Sequence, residues 1–206
     1  LGRYGYQRYG VPVSGAMDLF ALRAANLLVG NGRTAAGLEV TLTGPRLRFV
    51  RDTVIAITGA NLDPHLDGRP VHTWRPIAAP EGAILGFDGA RDGLRASIAI
   101  AGGIDVPIVL GSRSTFPRAS LGGFQGRAIR SGDCLSTLGD PVERVEGRLF
   151  PPDQIPRYGH NHSVRVILGP QDDAFTTEGI AAFLSSTYVV TPKSDRIGCR
   201  LDGPQI

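Results

Sequence analysis

The sequence predicts a mainly β protein, a barrel or sandwich with a few short helices. Three observations predict it. The 28 glycines and 15 prolines among 206 residues fall between short apolar segments, as turns fall between strands. Those segments either alternate apolar and polar residues or run continuously apolar over strand length. Outside the stretch from Gly10 to Asn31, the first two-thirds of the chain has no helical period.

Leu1 to Tyr9 is a Gly- and Tyr-rich turn that starts without Met, and it reads as a chain whose first strand is missing. Gly10 to Asn31 follows, a small-residue loop running into a helix. Met17, Phe20, Ala21, Ala24, Leu27 and Leu28 recur at helical spacing and form one apolar stripe, with Arg23 and Asn26 off its centre. Ser14 or Asp18 is expected to cap the start by accepting a backbone N–H, and Gly30-Asn31-Gly32 to end the helix in a left-handed turn. Ser14 and Asp18 then sit at the positive end of the helix dipole, which makes them candidate ligand-facing residues as well as caps.

Strands are expected at Leu38 to Leu42, Arg46 to Val50, Val54 to Thr58, Ala83 to Phe87 and Arg95 to Ala101. Asp67-Gly68 marks a tight hairpin, because both central residues of a type I′ turn need positive φ. The small-residue loop at Gly59-Ala60-Asn61 lets another group approach the backbone, and the strand from Arg95 runs into Gly102-Gly103. From Gly111 to Arg130 the chain becomes a long irregular loop dense in Gly, Ser and Arg, a type of segment that commonly carries function.

Residues 1–140 make the first domain. The stretch 141–162, with Pro141, Pro151, Pro152 and Pro156 among charged residues, reads as a linker, and 163–206 as the start of a second, incomplete domain. In that second part Val164 to Leu168 is an expected strand, Phe175 to Ser185 a helix and Tyr188 to Val190 a strand.

The composition excludes several classes. Hydrophobic residues make up 42% of the chain, enough for a core, so the sequence is not disordered. The net charge of +3 is scattered rather than striped, which argues against nucleic acid. No apolar run approaches the roughly 18 residues of a membrane-spanning helix, and the N-terminus lacks signal-peptide layout, so a soluble protein is expected; its two scattered cysteines suit a reducing cytoplasm. Cys134 and Cys199 fit neither a disulfide scaffold nor a paired metal motif and are expected as buried free thiols. His160 and His162 lack a nameable third ligand, so no metal site is assigned. Gly122 to Arg127 lacks the ending of a phosphate loop and reads as a turn. Arg113, Arg118 and Arg127 have the bidentate fork that suits a carboxylate.

Several blocks together resemble one family: GVPVSGAMD at 10–18, LEVTLTGP at 38–45, ITGANLD at 57–63, AGGIDVPIVLGSRST at 101–115, LGGFQGR at 121–127, GPQDDAF at 169–175 and TPKSDRIGCRLDG at 191–203. They are similar to the biotin-dependent carboxyltransferase-like family, which includes the C subunit of ATP-dependent 5-oxoprolinase, an antagonist of a sporulation-kinase inhibitor, and half of the carboxyltransferase domain of urea amidolyase. The resemblance implies two cyclophilin-like β-barrels, the second truncated here, and a heteromer with a smaller subunit of related fold and a lactam-opening subunit. It implies ATP-dependent hydrolysis of 5-oxo-L-proline to L-glutamate, with ATP bound somewhere in the complex. The alternatives are a urea-carboxylase-type transferase, whose biotin a partner would carry, and the non-enzymatic antagonist. Under the first reading Ser14, Asp18 and Asn61 are the expected catalytic group. Gly102 and Gly103 would donate backbone N–H bonds to an oxyanion. Ser112, Ser114, Gln171, Asp195 and Arg196 would complete substrate binding.

Overall fold

The computed structural model describes residues 2–139, 145, 147–159, 163–196 and 198–206. The chain divides into two compact units, residues 1–160 and 161–206. The first unit is mainly β, as expected. One four-stranded antiparallel sheet has the order β1 (Leu38–Thr41), β8 (Asp92–Ile100), β3 (Thr53–Asn61), β6 (Pro76–Ala79). The other has the order β2 (Leu47–Arg48), β7 (Ile84–Phe87), β4 (Pro64–Leu66), β5 (Arg69–Pro70). Asp67 and Gly68 both take positive φ, 51° and 75°, and close the β4–β5 hairpin.

The first sheet is buried on both faces, and the period of two in its central strands sorts residues between two cores. Ile55 and Ile57 of β3 and Ile98 of β8 join Val40, Leu62 and Leu85 in one core. Ala56 and Ala99 face the other way and pack with Ala25, Leu28 and Val29 of the helix α1 (Leu19–Leu28) and its C-cap. Bulky residues fill the space between sheets, while alanines let the helix approach the strand backbone closely. Thr58, fully buried, fastens this contact by donating its hydroxyl to Ala21 O at 2.7 Å.

The helix stands where the sequence places it, but its buried face differs from the expected stripe. Met17 precedes the helix and is 55% exposed, and Phe20 and Leu27 are nearly half exposed. Ala21, Leu22, Ala24, Ala25, Asn26 and Leu28 are the buried positions. The cause is that α1 is covered on two sides, by the sheet and by a cluster of Trp74, Phe150, Ile155 and Tyr158 around Ala21 and Ala24. Asn26 is fully buried rather than peripheral, donating to Ala35 O and accepting from Asn31 Nδ2, both at 3.0 Å. Gly30 takes the expected left-handed turn, with φ 81°.

Residues 148–158 lie in the stretch read as a linker. They pack on the first unit: Phe150 N–H donates to Trp74 O at 3.1 Å, and the Phe150 ring lies 5.1 Å from that of Trp74. The expected His160 and His162 pair falls outside the described residues.

In the second unit α2 (Thr177–Ser185) is capped by Thr176, and β9 (Val189–Val190) pairs with β10 (Leu201–Asp202). The strand expected at 164–168 does not form. No ladder among the described residues includes it, and an extended segment without a pairing partner leaves its N–H and C=O groups to solvent. Cys134 and Cys199 are free but exposed, not buried, because both sit in loops outside the cores. No helix among the described residues is long and apolar enough to cross a membrane.

Candidate functional site

The loop before α1 is built on left-handed backbone: Ser14 has φ 55° and Gly15 φ 89°. Met17 N–H donates to Glu39 Oε2 at 2.7 Å, which ties the end of this loop to β1. Asp18 is the residue that caps the helix. Its Oδ1 accepts the Ala21 N–H at 2.8 Å, satisfying a donor that the first turn cannot pair internally.

The other carboxylate oxygen has a distant partner. Tyr158 donates its phenol hydrogen to Asp18 Oδ2 at 2.6 Å across 140 residues. Burial, and then this bond to Asp18, push the Tyr158 phenol well above its ordinary pKa of 10.0. The Tyr158 Cβ lies beside the end of the β3–β8 ladder: a Cβ on Gly93, whose φ is 76°, would stand 2.8 Å from Ala60 Cβ and 2.9 Å from Tyr158 Cβ. Asp18 and the Asn61 end of β3 therefore share one neighbourhood, joined by Tyr158. There the register shifts between Gly59 and Asn61, and Asn61 Oδ1 accepts the Asp63 N–H at 2.9 Å.

Other expected site residues have different surroundings. The N–H of Gly102 is bound to Asn31 Oδ1 and that of Gly103 to Ile100 O, both at 2.9 Å. These donors serve the fold, and the expected oxyanion role has no uncommitted N–H at either position. Ser112 is buried and lies 2.8 Å, Oγ to Oγ, from Ser114. Both belong to a cluster around Arg3, which is fully buried. Its Nε donates to Val109 O at 3.2 Å and Nη1 to Ser114 Oγ at 3.1 Å, and Nη2 donates to Ser114 O. Arg3 N–H also donates to Val13 O at 2.6 Å, so this residue links the loop bearing Ser14 to the loop bearing Ser112 and Ser114.

The Arg127 fork, expected to suit a substrate carboxylate, is closed on an internal one. Arg127 Nη1 and Nη2 donate to Asp133 Oδ2 and Oδ1 at 2.7 and 2.8 Å. Arg113 Nη1 donates to Val106 O. In the second unit Gln171 lines an apolar cleft of about 220 Å³ with Val166, Leu168, Phe175, Phe183 and Ile206. Asp195 Oδ1 accepts the Gly198 N–H at 3.2 Å, and Arg196 is exposed. Among the described residues no group of three or more His, Cys, Asp or Glu is placed to hold a metal.

Two residues that matter here, Tyr158 and Arg3, are not singled out by the sequence. Arg3 sits in a segment without period. Tyr158 has one faint signal, the recurrence of Phe150, Ile155 and Tyr158 in an otherwise charged, proline-rich stretch.

The model of the carboxyltransferase domain, subdomains A and B, matches residues 9–206. The chain belongs to the carboxyltransferase domain family. Urea amidolyase of Saccharomyces cerevisiae is 40% identical over 211 residues, 99% of this chain and 12% of that protein. The C subunit of 5-oxoprolinase from Escherichia coli is 35% identical over 202 residues, 98% of this chain and 64% of the relative. The crystal structure of the K. lactis urea amidolyase superposes with a TM-score of 0.82 at 37% identity, covering 98% of this chain and 13% of that one. The chain thus spans a carboxyltransferase region that is part of each relative's length. The name of the bacterial relative marks that protein as one subunit of an assembly.

Proposed function

We propose that this chain is the C subunit of an ATP-dependent 5-oxoprolinase, hydrolysing 5-oxo-L-proline to L-glutamate together with a smaller subunit of related fold and a lactam-opening subunit. The observation that carries this reading is the 35% identity with the 5-oxoprolinase C subunit of Escherichia coli along 98% of the chain. The chemistry around Asp18 agrees with it. Asp18 itself supplies the negative charge favoured at the start of α1, so a hydrogen-donating ligand group suits the place beside it. A lactam offers such a donor in its N–H.

In this reading Asp18 accepts the lactam N–H, and the Ser14 hydroxyl and Asn61 side-chain amide hold the lactam oxygen. Ser112 and Ser114 support the loop beside Ser14 through Arg3. Ring opening breaks the C–N bond, with water supplying hydroxyl to the carbon and hydrogen to the nitrogen. The amide is resonance-stabilised and ring closure is easy, so the step is coupled to ATP in the complex. No residue of this chain is assigned to the nucleotide.

A second reading is favoured by the 40% identity with urea amidolyase: a carboxyltransferase component that moves a carboxyl group from biotin to urea. Biotin would arrive on another segment or partner, since the single methionine, Met17, is followed by Asp18 and this sequence has no Met-Lys pair. Urea also presents N–H groups to Asp18.

The test is to purify the full chain with its partner subunits and follow glutamate and ADP release from 5-oxoproline, with a parallel reaction containing urea, bicarbonate and a biotin carboxylase component. Glutamate release, lost in an assembled Asp18→Ala complex, supports the first reading. Carboxylation of urea instead replaces it with the second. Activity in neither reaction removes both and leaves the non-enzymatic antagonist.

A further inference from the structure

Residues 148–158 run along α1 from one end to the other. At the C-terminal end Arg148 Nη1 donates to Leu27 O at 2.9 Å, a cation on a last-turn carbonyl that also accepts the Gly30 N–H at 3.1 Å. In the middle Phe150 stacks edge-on against Phe20, with centroids 5.6 Å apart, and Phe150, Ile155 and Tyr158 pack on the cluster formed by Ala21, Ala24 and Trp74. At the N-terminal end the Tyr158 phenol holds Asp18 Oδ2.

The helix cap alone does not determine where Oδ2 points. The terminal torsion of an aspartate is broad, and one bond from Ala21 N–H to Oδ1 leaves the carboxylate free to rock about it. A second, charge-assisted donor on the other oxygen removes that freedom. Tyr158 is suited to this, since it packs on the cluster of Ala21, Ala24 and Trp74 and its Cβ lies beside Gly93, where a side chain would crowd it. The phenol proton is directed at Asp18, so the phenol acts on Asp18 and not on a substrate.

We propose that Tyr158 is a positioning residue for Asp18, fixing the carboxylate so that one oxygen stays on the helix cap while the other presents its remaining lone pair to an amide N–H of the substrate. The proposal rests on the reading of Asp18 as a substrate contact. It assigns to the stretch before residue 160 a part in the site that its proline-rich composition conceals.

Tyr158→Phe tests it, because phenylalanine keeps the ring packing and removes only the donor. In the assembled complex the variant is expected to raise KM about tenfold while kcat stays within about twofold, the effect of one lost orienting hydrogen bond. The melting temperature is expected to fall by no more than about 4 °C. Arg148→Ala, which releases the far end of the strap, is expected to leave KM within about twofold. An unchanged KM in Tyr158→Phe, or an equal rise in Arg148→Ala, overturns the proposal. If the wild-type complex turns over neither 5-oxoproline nor urea, the functional reading has failed, and positioning is read instead from the Asp18 carboxyl ¹³C resonance. A single sharp line in the wild type that broadens or splits in Tyr158→Phe sustains the proposal, and an unchanged line overturns it.

Discussion

Asn31, just past the end of α1, accepts the Gly102 N–H on its Oδ1 at 2.9 Å and returns its Nδ2 hydrogen to Ile100 O at 2.9 Å. A side-chain amide thereby makes the donor-acceptor exchange of a strand neighbour and fastens the helix C-terminus to the end of β8. A second Nδ2 bond reaches Asn26 Oδ1 at 3.0 Å. Asn31→Ala leaves the Gly102 amide and the buried Asn26 side chain short of partners. It is expected to cost about 2–4 kcal/mol, read as a lower denaturant midpoint with unchanged slope. A loss below about 0.5 kcal/mol would mean that water replaces these bonds.

Gly102 itself tolerates no side chain. Its φ is 85°, and a Cβ would collide with the Gly139 carbonyl. Gly102→Ala combines backbone strain with a clash against another backbone segment and is expected to destabilise by at least about 3 kcal/mol. Thermal melting of the purified variant checks this, and a melting temperature equal to the wild type would show that the 102 and 139 segments separate freely.

The Asp133 carboxyl is held down to about 2 by the Arg127 fork first and the Arg130 N–H second. Its pKa when unfolded is near the ordinary 3.8, so the folded state is the poorer proton acceptor. The stabilisation is complete above the unfolded value and is lost as pH falls from about 4 through about 2. A ¹³C titration of the Asp133 carboxyl is expected to show a midpoint near 2, and Arg127→Met to return it toward the ordinary range.

Tyr158 titrates in the opposite sense. Burial and the bond to Asp18 raise its phenol above 10.0, so the stability it contributes is present below about pH 10 and disappears as pH rises beyond it. The ultraviolet difference between wild type and Tyr158→Phe is expected to show a phenol ionising well above pH 10. A difference that titrates at the ordinary value would show that the bond to Asp18 is not made in solution.

Much of the first unit is legible in the sequence because its signals are local. Asp67-Gly68 announces its hairpin, since only a few residues accept two consecutive positive φ values. A polar cap at Ser14 or Asp18 and the stop at Gly30 follow from helix-end chemistry, and the structure decides for Asp18. The apolar run at 164–168 misleads for the complementary reason: it states a preference, but a strand exists only where another strand supplies its hydrogen bonds. The stripe on α1 is displaced because helical period locates an apolar side and not how many neighbours cover the helix.

What the sequence determined by itself is the mainly β class, the position and ends of α1, and, through its motif blocks, membership in the carboxyltransferase family. What only the tertiary structure decided is which of the expected site residues have chemistry to spare. Gly102 and Gly103 have committed their amides and Ser112 is buried beside Arg3, whereas Asp18 is brought under Tyr158 from 140 residues away. The reason is physical. Caps and turns are written in neighbouring residues, but whether a donor is spent or a carboxylate is held depends on groups distant in the chain, and these meet only when the sheets and helix have packed.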